Sequence, residues 1–220
     1  MKKLIVLCAT LLVCTSFAQA QGIGFGVQGD VINFTLGGIN ASTVSVSTGD
    51  LTSDLKNIYG LGIGGGIHLD MDLVLIGFRV SGDYLSISPD RSKYQSLLAT
   101  YIGNTAAAAV KVEGGRIDIY SVNVNGKFKI LPLPIVSVYI TGGVGLVRVS
   151  VAATKVTFNN FPLANFPAAE SQTKPSVNAG VGADLSLGGL TLFGELKVDW
   201  IFTDPKTSTA IPFGTVGITF

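Results

Sequence analysis

The chain is short of several things, and each shortage excludes something. It has two cysteines, one histidine and one tryptophan in 220 residues, and only 13% of its residues are charged. Both cysteines, Cys8 and Cys14, lie in the first twenty residues. That stretch opens Met1-Lys2-Lys3, runs through mostly apolar residues 4–13, and closes on Ser16-Phe17-Ala18-Gln19-Ala20. A basic start, a short apolar middle and an A-x-A ending describe a secretory signal peptide cleaved after Ala20. The apolar middle is too short for a membrane anchor, which needs roughly 20 residues. Val13 stands where a lipoprotein signal ending at Cys14 wants a small residue. Cleavage removes both cysteines, which excludes disulfides, a thiolate nucleophile and a cysteine metal site from residues 21–220. It also removes Lys2 and Lys3, taking the formal charge from +1 to −1, with no basic excess left for nucleic acid.

The charged share is about half that of an ordinary soluble domain. The sequence also lacks a long apolar run: no segment after the signal approaches 18 consecutive apolar residues, so no transmembrane helix is expected. Yet 47% of residues are apolar and 28 are glycine. An exported chain with this much apolar surface and no membrane helix has one other structure open to it in lipid. That structure is a closed barrel, in which every backbone group is paired between strands.

What is present is a period of two. Ile23, Phe25 and Val27 alternate with glycines in a first strand reaching about residue 34, with a phase slip near Val31-Ile32 that predicts a bulge. Residues 36–56 read as a loop. A second strand places Tyr59, Leu61, Ile63, Ile67 and Leu69 against Gly60, Gly62, Gly64, Gly66 and His68, and turns at Asp70-Met71-Asp72. A third sets Val74, Ile76, Phe78, Val80 and Tyr84 against Gly77, Arg79, Ser81 and Asp83. Residues 88–115 form a second long loop that in part extends the hairpin beyond the membrane. The fourth strand opposes Tyr120, Val122, Val124, Phe128 and Ile130 to Ser121, Asn123, Asn125, Lys127 and Lys129, and ends in a turn where Pro132 and Pro134 are expected to stop pairing. The fifth, sixth and seventh strands follow at 136–146, 176–187 and 190–202. Residues 152–175 form a third loop, Gly188-Gly189 a two-residue turn, and residues 203–210 a fourth loop. The last strand, 211–220, sets Val216, Ile218 and Phe220 against Thr215, Gly217 and Thr219.

These elements predict an all-β fold: an eight-stranded antiparallel transmembrane β-barrel, with short periplasmic turns and four longer extracellular loops, over residues 21–220. The aromatics sort by depth. Tyr59, Tyr84, Tyr120, Trp200 and Phe202 fall at the long-loop ends of the strands, and Phe128 and Phe220 at the short-turn ends. Two membrane interfaces explain two such girdles.

At this point the sequence resembles the small porin-like outer-membrane proteins, of the OmpA transmembrane domain and OmpX type. The resemblance is carried by Val216-x-Ile218-x-Phe220, by Gly194-Glu195-Leu196-Lys197-Val198-Asp199-Trp200 and by Asn178-Ala179-Gly180-Val181-Gly182-Ala183-Asp184. It covers nearly the whole chain after the signal and implies an architecture and an export route, not an activity. It implies a location in the outer membrane of a Gram-negative cell, a monomer in contact with outer-membrane lipid and lipopolysaccharide, and periplasmic chaperones during biogenesis. The Val216, Ile218 and Phe220 ending implies recognition by the barrel-assembly machinery. Because Phe220 ends the chain, the peptidoglycan-binding domain that often follows such barrels is expected to be absent.

The inward positions collect Arg79, Asp83, Lys127, Lys129, Asp184, Glu195, Lys197 and Asp199, four of each sign. Eight strands leave an interior that side chains just fill, so this charge network is expected to pair and close the lumen; the inward glycines leave room for water or for larger partners across it. His68 points inward near a short turn, with no histidine at the outer rim to serve as a base. No catalytic, cofactor or metal residue is therefore expected. The chain reads as a non-enzymatic outer-membrane protein acting through its loops. A narrow porin-like channel or conduit for small solutes is the alternative, and a lipid-modifying enzyme a remote one.

Overall fold

The computed structural model describes residues 22–33, 58–73, 75–101, 110–133, 135–204 and 207–220. The expected signal peptide and the loop at 36–56 lie outside them. Eight strands close a barrel: β1 (Ile23–Asn33), β2 (Leu61–Asp72), β3 (Ile76–Ile87), β5 (Ile117–Pro132), β6 (Val136–Val151), β9 (Ala169–Ser186), β10 (Thr191–Asp204) and β11 (Thr207–Thr219). Each pairs antiparallel with its neighbours, and β1 closes the ring by pairing with both β2 and β11. The closure reaches the end of the chain, where the Phe220 N–H donates to the Phe25 carbonyl at 2.8 Å.

The alternation read from the sequence gives the wall two opposite faces. Ile63, Leu196 and Val216 are 64%, 68% and 68% exposed on the outside, whereas Arg79, Lys127 and Glu195 are buried inside. A soluble protein has the reverse polarity; this one has the polarity of a barrel whose solvent is lipid. Each short turn is tied in one way, by an N–H donating to the carbonyl three residues on: Leu73 to Ile76, Leu133 to Val136, and Leu187 to Leu190. In the last, Gly188 and Gly189 both have positive φ, as a type I′ hairpin turn requires.

Several local expectations are corrected. The bulge near Val31-Ile32 is absent: β1 pairs residue by residue with β2 from Ile23 to Asn33, and Gln28, Asp30 and Ile32 all turn inward. The strand only looked out of phase because its inward face changes from polar to apolar at Ile32. Asp70-Met71-Asp72 is not a turn. Strand β2 continues through it, and buried Asp70 finds Arg79 across the ladder. Pro132 does not end pairing; it still faces Ser137, and a register shift between Lys129 and Leu131 accommodates it. The fourth loop, expected at 203–210, is strand over most of its length, because β10 and β11 pair as far as Asp204 and Thr207.

The described residues of the second and third loops form regular structure. Helix α1 (Arg91–Tyr101) follows β3, and β4 (Val110–Gly114), β7 (Thr154–Phe158) and β8 (Phe161–Phe166) form a separate sheet in the order β4-β7-β8. Strands β4 and β7 prolong the β5–β6 hairpin beyond the barrel after a kink at Gly114 and Gly115, where φ is +87° and +75°. Val110, Val112, Val156 and Ala99 bury a small core between helix and sheet. Asp90 caps α1, accepting from the backbone N–H groups of Ser92 and Lys93. The Ser92 hydroxyl, which donates to the same carboxylate at 2.7 Å, and then the Lys93 N–H hold the Asp90 carboxyl below its ordinary value.

Candidate functional site: the closed lumen

The lumen is layered. At the periplasmic mouth Lys129 reaches Asp72 at 3.4 Å. Above it lies a buried ionic knot. The Arg79 guanidinium grips Asp70 with two bonds of 2.6 and 2.7 Å, and a third nitrogen lies 3.6 Å from Glu195. Lys127 stands 3.3 Å from Asp184 and 3.7 Å from Asp70. The Tyr139 hydroxyl donates to Glu195 at 3.1 Å. Aromatic rings complete the knot, with the guanidinium 3.8 Å from the Phe193 ring centre and the Lys127 ammonium 4.3 Å from that of Tyr139. His68 is buried here, 2.9 Å from the Thr219 hydroxyl and edge-on to Phe193.

A polar layer follows. Asp83 accepts from Gln28, Ser81 and Ser121, and Asp30 from Thr215 at 2.6 Å. Lys197 lies 5.3 Å from the Phe213 ring and, among the described residues, stands in no ion pair. The extracellular half is then sealed by an apolar cluster of Ile32, Leu85, Ile87, Ile117, Ile119, Val147, Ile201, Ile211 and Phe213.

The packing rule that fills this interior is a cross-strand one. Large inward side chains sit opposite glycine on the neighbouring strand: Tyr139 faces Gly182, Phe193 faces Gly217, His68 faces Gly26 and Asp83 faces Gly66. In each case a β-carbon on the glycine would run into that side chain. The glycines therefore make room for neighbouring side chains.

All eight inward charges named from the sequence point into the barrel, but they do not form one network. Arg79, Lys127, Asp184 and Glu195 meet in the knot; Asp83, Lys197 and Asp199 belong to the layer above; Lys129 lies at the mouth. Sequence reasoning missed Asp70, which it had assigned to a turn, and Asp30, which adjoins the phase slip expected at Val31-Ile32. With them the count is no longer balanced: among the described residues, six carboxylates and three cations are buried in the lumen. Of the proposed girdles, Tyr84 and Tyr120 stack outside with ring centres 5.1 Å apart, and Phe128, Phe202 and Phe220 are exposed. Trp200 is half-buried on the outer face. Tyr59 is placed differently. Half-buried against the apolar seal, it donates to the Gly115 carbonyl at 2.7 Å, and burial pushes its hydroxyl up to about 12. In the C-terminal strand Val216 and Phe220 face outward, and Ile218 shares their side of the strand.

Apolar outside, polar inside, with short turns at one end and folded extensions at the other: this geometry defines a bacterial outer-membrane barrel. Residues 5–208 match the outer membrane protein beta-barrel domain, and the chain belongs to that family. It is an outer-membrane protein of Gram-negative type. A comparison with curated proteins finds no match. Among solved structures, Neisserial surface protein A aligns over 90% of this chain and 96% of its own, with 12% identity and a TM-score of 0.53. The N-terminal barrel of Pseudomonas aeruginosa OprF aligns over 91% and 98%, with 11% identity and a TM-score of 0.45. The likeness to the Neisserial protein is one of fold.

Proposed function

We propose that this protein is a non-enzymatic, non-conducting barrel that serves as a membrane-held platform, acting through the helix and three-stranded sheet it raises above the outer membrane. One observation carries the reading: the lumen is closed twice in succession, by the ionic knot and by the apolar seal, while the extracellular segments have a core of their own. A side-chain barrier of either kind obstructs ions in an eight-stranded barrel. The sole histidine is enclosed in the knot, so no histidine is presented at the surface or lipid face to act as a base. The protein acts as a monomer whose wall is surrounded by outer-membrane lipid and lipopolysaccharide, and the Val216, Ile218 and Phe220 face is the one presented to the assembly machinery and its chaperones. Purified protein in planar bilayers is expected to give no steady conductance. Deleting residues 91–113 and 154–168 should leave a folded barrel and abolish surface binding of the cell to its targets. Steady conductance by the intact protein would overturn the reading.

A further inference from the structure

The polar layer above the ionic knot has unmet needs that the surface role does not address. It holds Asp30, Asp83 and Asp199 against Lys197 alone, an excess of two negative charges in a buried setting. Asp83 is satisfied by three donors. Asp199 is 1% exposed, and neither of its carboxylate oxygens has a partner. Its cross-strand neighbour is Asn178. Asn178 uses its amide nitrogen on Asn125 at 2.9 Å, which leaves its own side-chain oxygen unpartnered. On the adjoining strands Asn123 and Ser176 flank Gly145, whose missing β-carbon opens the space that the Asn123 carbonyl oxygen and the Ser176 hydroxyl both border. Those two oxygens also lack partners.

Buried acceptors left unpaired are costly, and a carboxylate most of all. All of these atoms are oxygens. Among the described residues, no three His, Cys, Asp or Glu side chains form a metal cluster, so a transition-metal site is not built here. One carboxylate, two amide oxygens and a hydroxyl are hard ligands. Calcium accepts this mixture with variable geometry, whereas magnesium demands a tight octahedron.

We propose that this layer binds one divalent cation of calcium size, held by Asp199, Asn178, Asn123 and Ser176, and that the ion offsets the layer's two excess negative charges. Because the apolar seal and the knot enclose the site, the ion enters as the barrel closes.

The test refolds the full chain into detergent micelles with millimolar CaCl2, MgCl2 or EDTA and then passes it into metal-free buffer. Retained metal is measured by atomic emission, and the urea midpoint by Trp200 fluorescence. Wild type refolded with calcium should retain one ion per barrel and unfold at higher urea than after EDTA. Asp199→Asn should lose both effects, Ser176→Val should weaken retention, and Asn178→Asp should keep it. Asp72→Asn, at the mouth, should behave as wild type. No retained calcium, equal retention in Asp199→Asn, or equal effects of magnesium would overturn the proposal. So would a midpoint indifferent to calcium that rises on acidification, since protons would then neutralise the layer. None of these outcomes bears on conductance, so the surface-platform reading stands or falls separately.

Discussion

Arg79→Ala is the sharpest single perturbation of the closed lumen. The guanidinium is 3% exposed, holds Asp70 in a two-bonded grip and lies beside Glu195. Its removal leaves Asp70, Asp184 and Glu195 with Lys127 as their only cation in the knot. Breaking a buried ion pair from one side costs about 3–5 kcal/mol, because a charge is left buried and unmatched. Losing the stack on Phe193 adds about 1 kcal/mol. A loss of about 4 kcal/mol is nearly a thousandfold in the folded-to-unfolded ratio. The double variant Arg79→Met/Asp70→Leu removes both partners at similar volume and should lose much less, since apolar replacement of a buried pair is often close to neutral. The assay is urea unfolding in lipid vesicles, followed by the single tryptophan, Trp200. Conductance should stay at baseline in both variants, because the apolar seal from Ile32 to Phe213 is untouched. A single-variant loss below about 1 kcal/mol, or a double variant no more stable than the single, would refute the claim that this pairing organises the knot.

Three further substitutions probe other parts. Gly182→Val puts a branched side chain where the Tyr139 ring lies and should destabilise the barrel by about 1–3 kcal/mol, whereas Gly194→Ala, on the open lipid face, should change the urea midpoint by less than about 0.5 kcal/mol. Gly115→Ala forces a β-carbon onto a φ of +75° next to Thr154, Pro89 and Tyr59; a cost of about 1–2 kcal/mol should appear as faster amide exchange in β4 and β7 while the barrel strands keep their protection. The cap of α1 should be pH-dependent. The Asp90 carboxyl is lowered in the folded state, so its stabilisation is complete above its ordinary value of 3.8 and fades as pH falls below it. Amide exchange in α1 should therefore accelerate on acidification, and Asp90→Ala should abolish that pH dependence.

The barrel was legible because lipid leaves the chain little choice. Every strand must show an apolar face outward, so Val216-x-Ile218-x-Phe220 and its counterparts alternate without relief. The inside is under a weaker rule, and there the reading went astray. Ile32, Leu85 and Ile87 are apolar on the inward face, so the strands seem to end or slip where the interior merely changes from polar to apolar. Asp70 was hidden by its neighbours, since Asp-Met-Asp has turn composition and only the Arg79 grip explains it as strand. The extracellular sheet had a signal that went unread. Asn159-Asn160 sits between Val-Thr-Phe and Phe-Pro-Leu, and both asparagines take the positive φ of a hairpin turn, at 49° and 67°. The charge count failed for a related reason, because two missed carboxylates turn a balanced lumen into an acidic one. What no single strand displays is the pairing of large with small. Tyr139 opposite Gly182 and Phe193 opposite Gly217 become visible only once register is known. In this barrel the lipid face is written in the period of each strand, while closure of the lumen is written in the register between strands. A one-residue slip would bring each of these rings against a residue that carries a β-carbon, so the same contacts that shut the lumen also hold the strands in place.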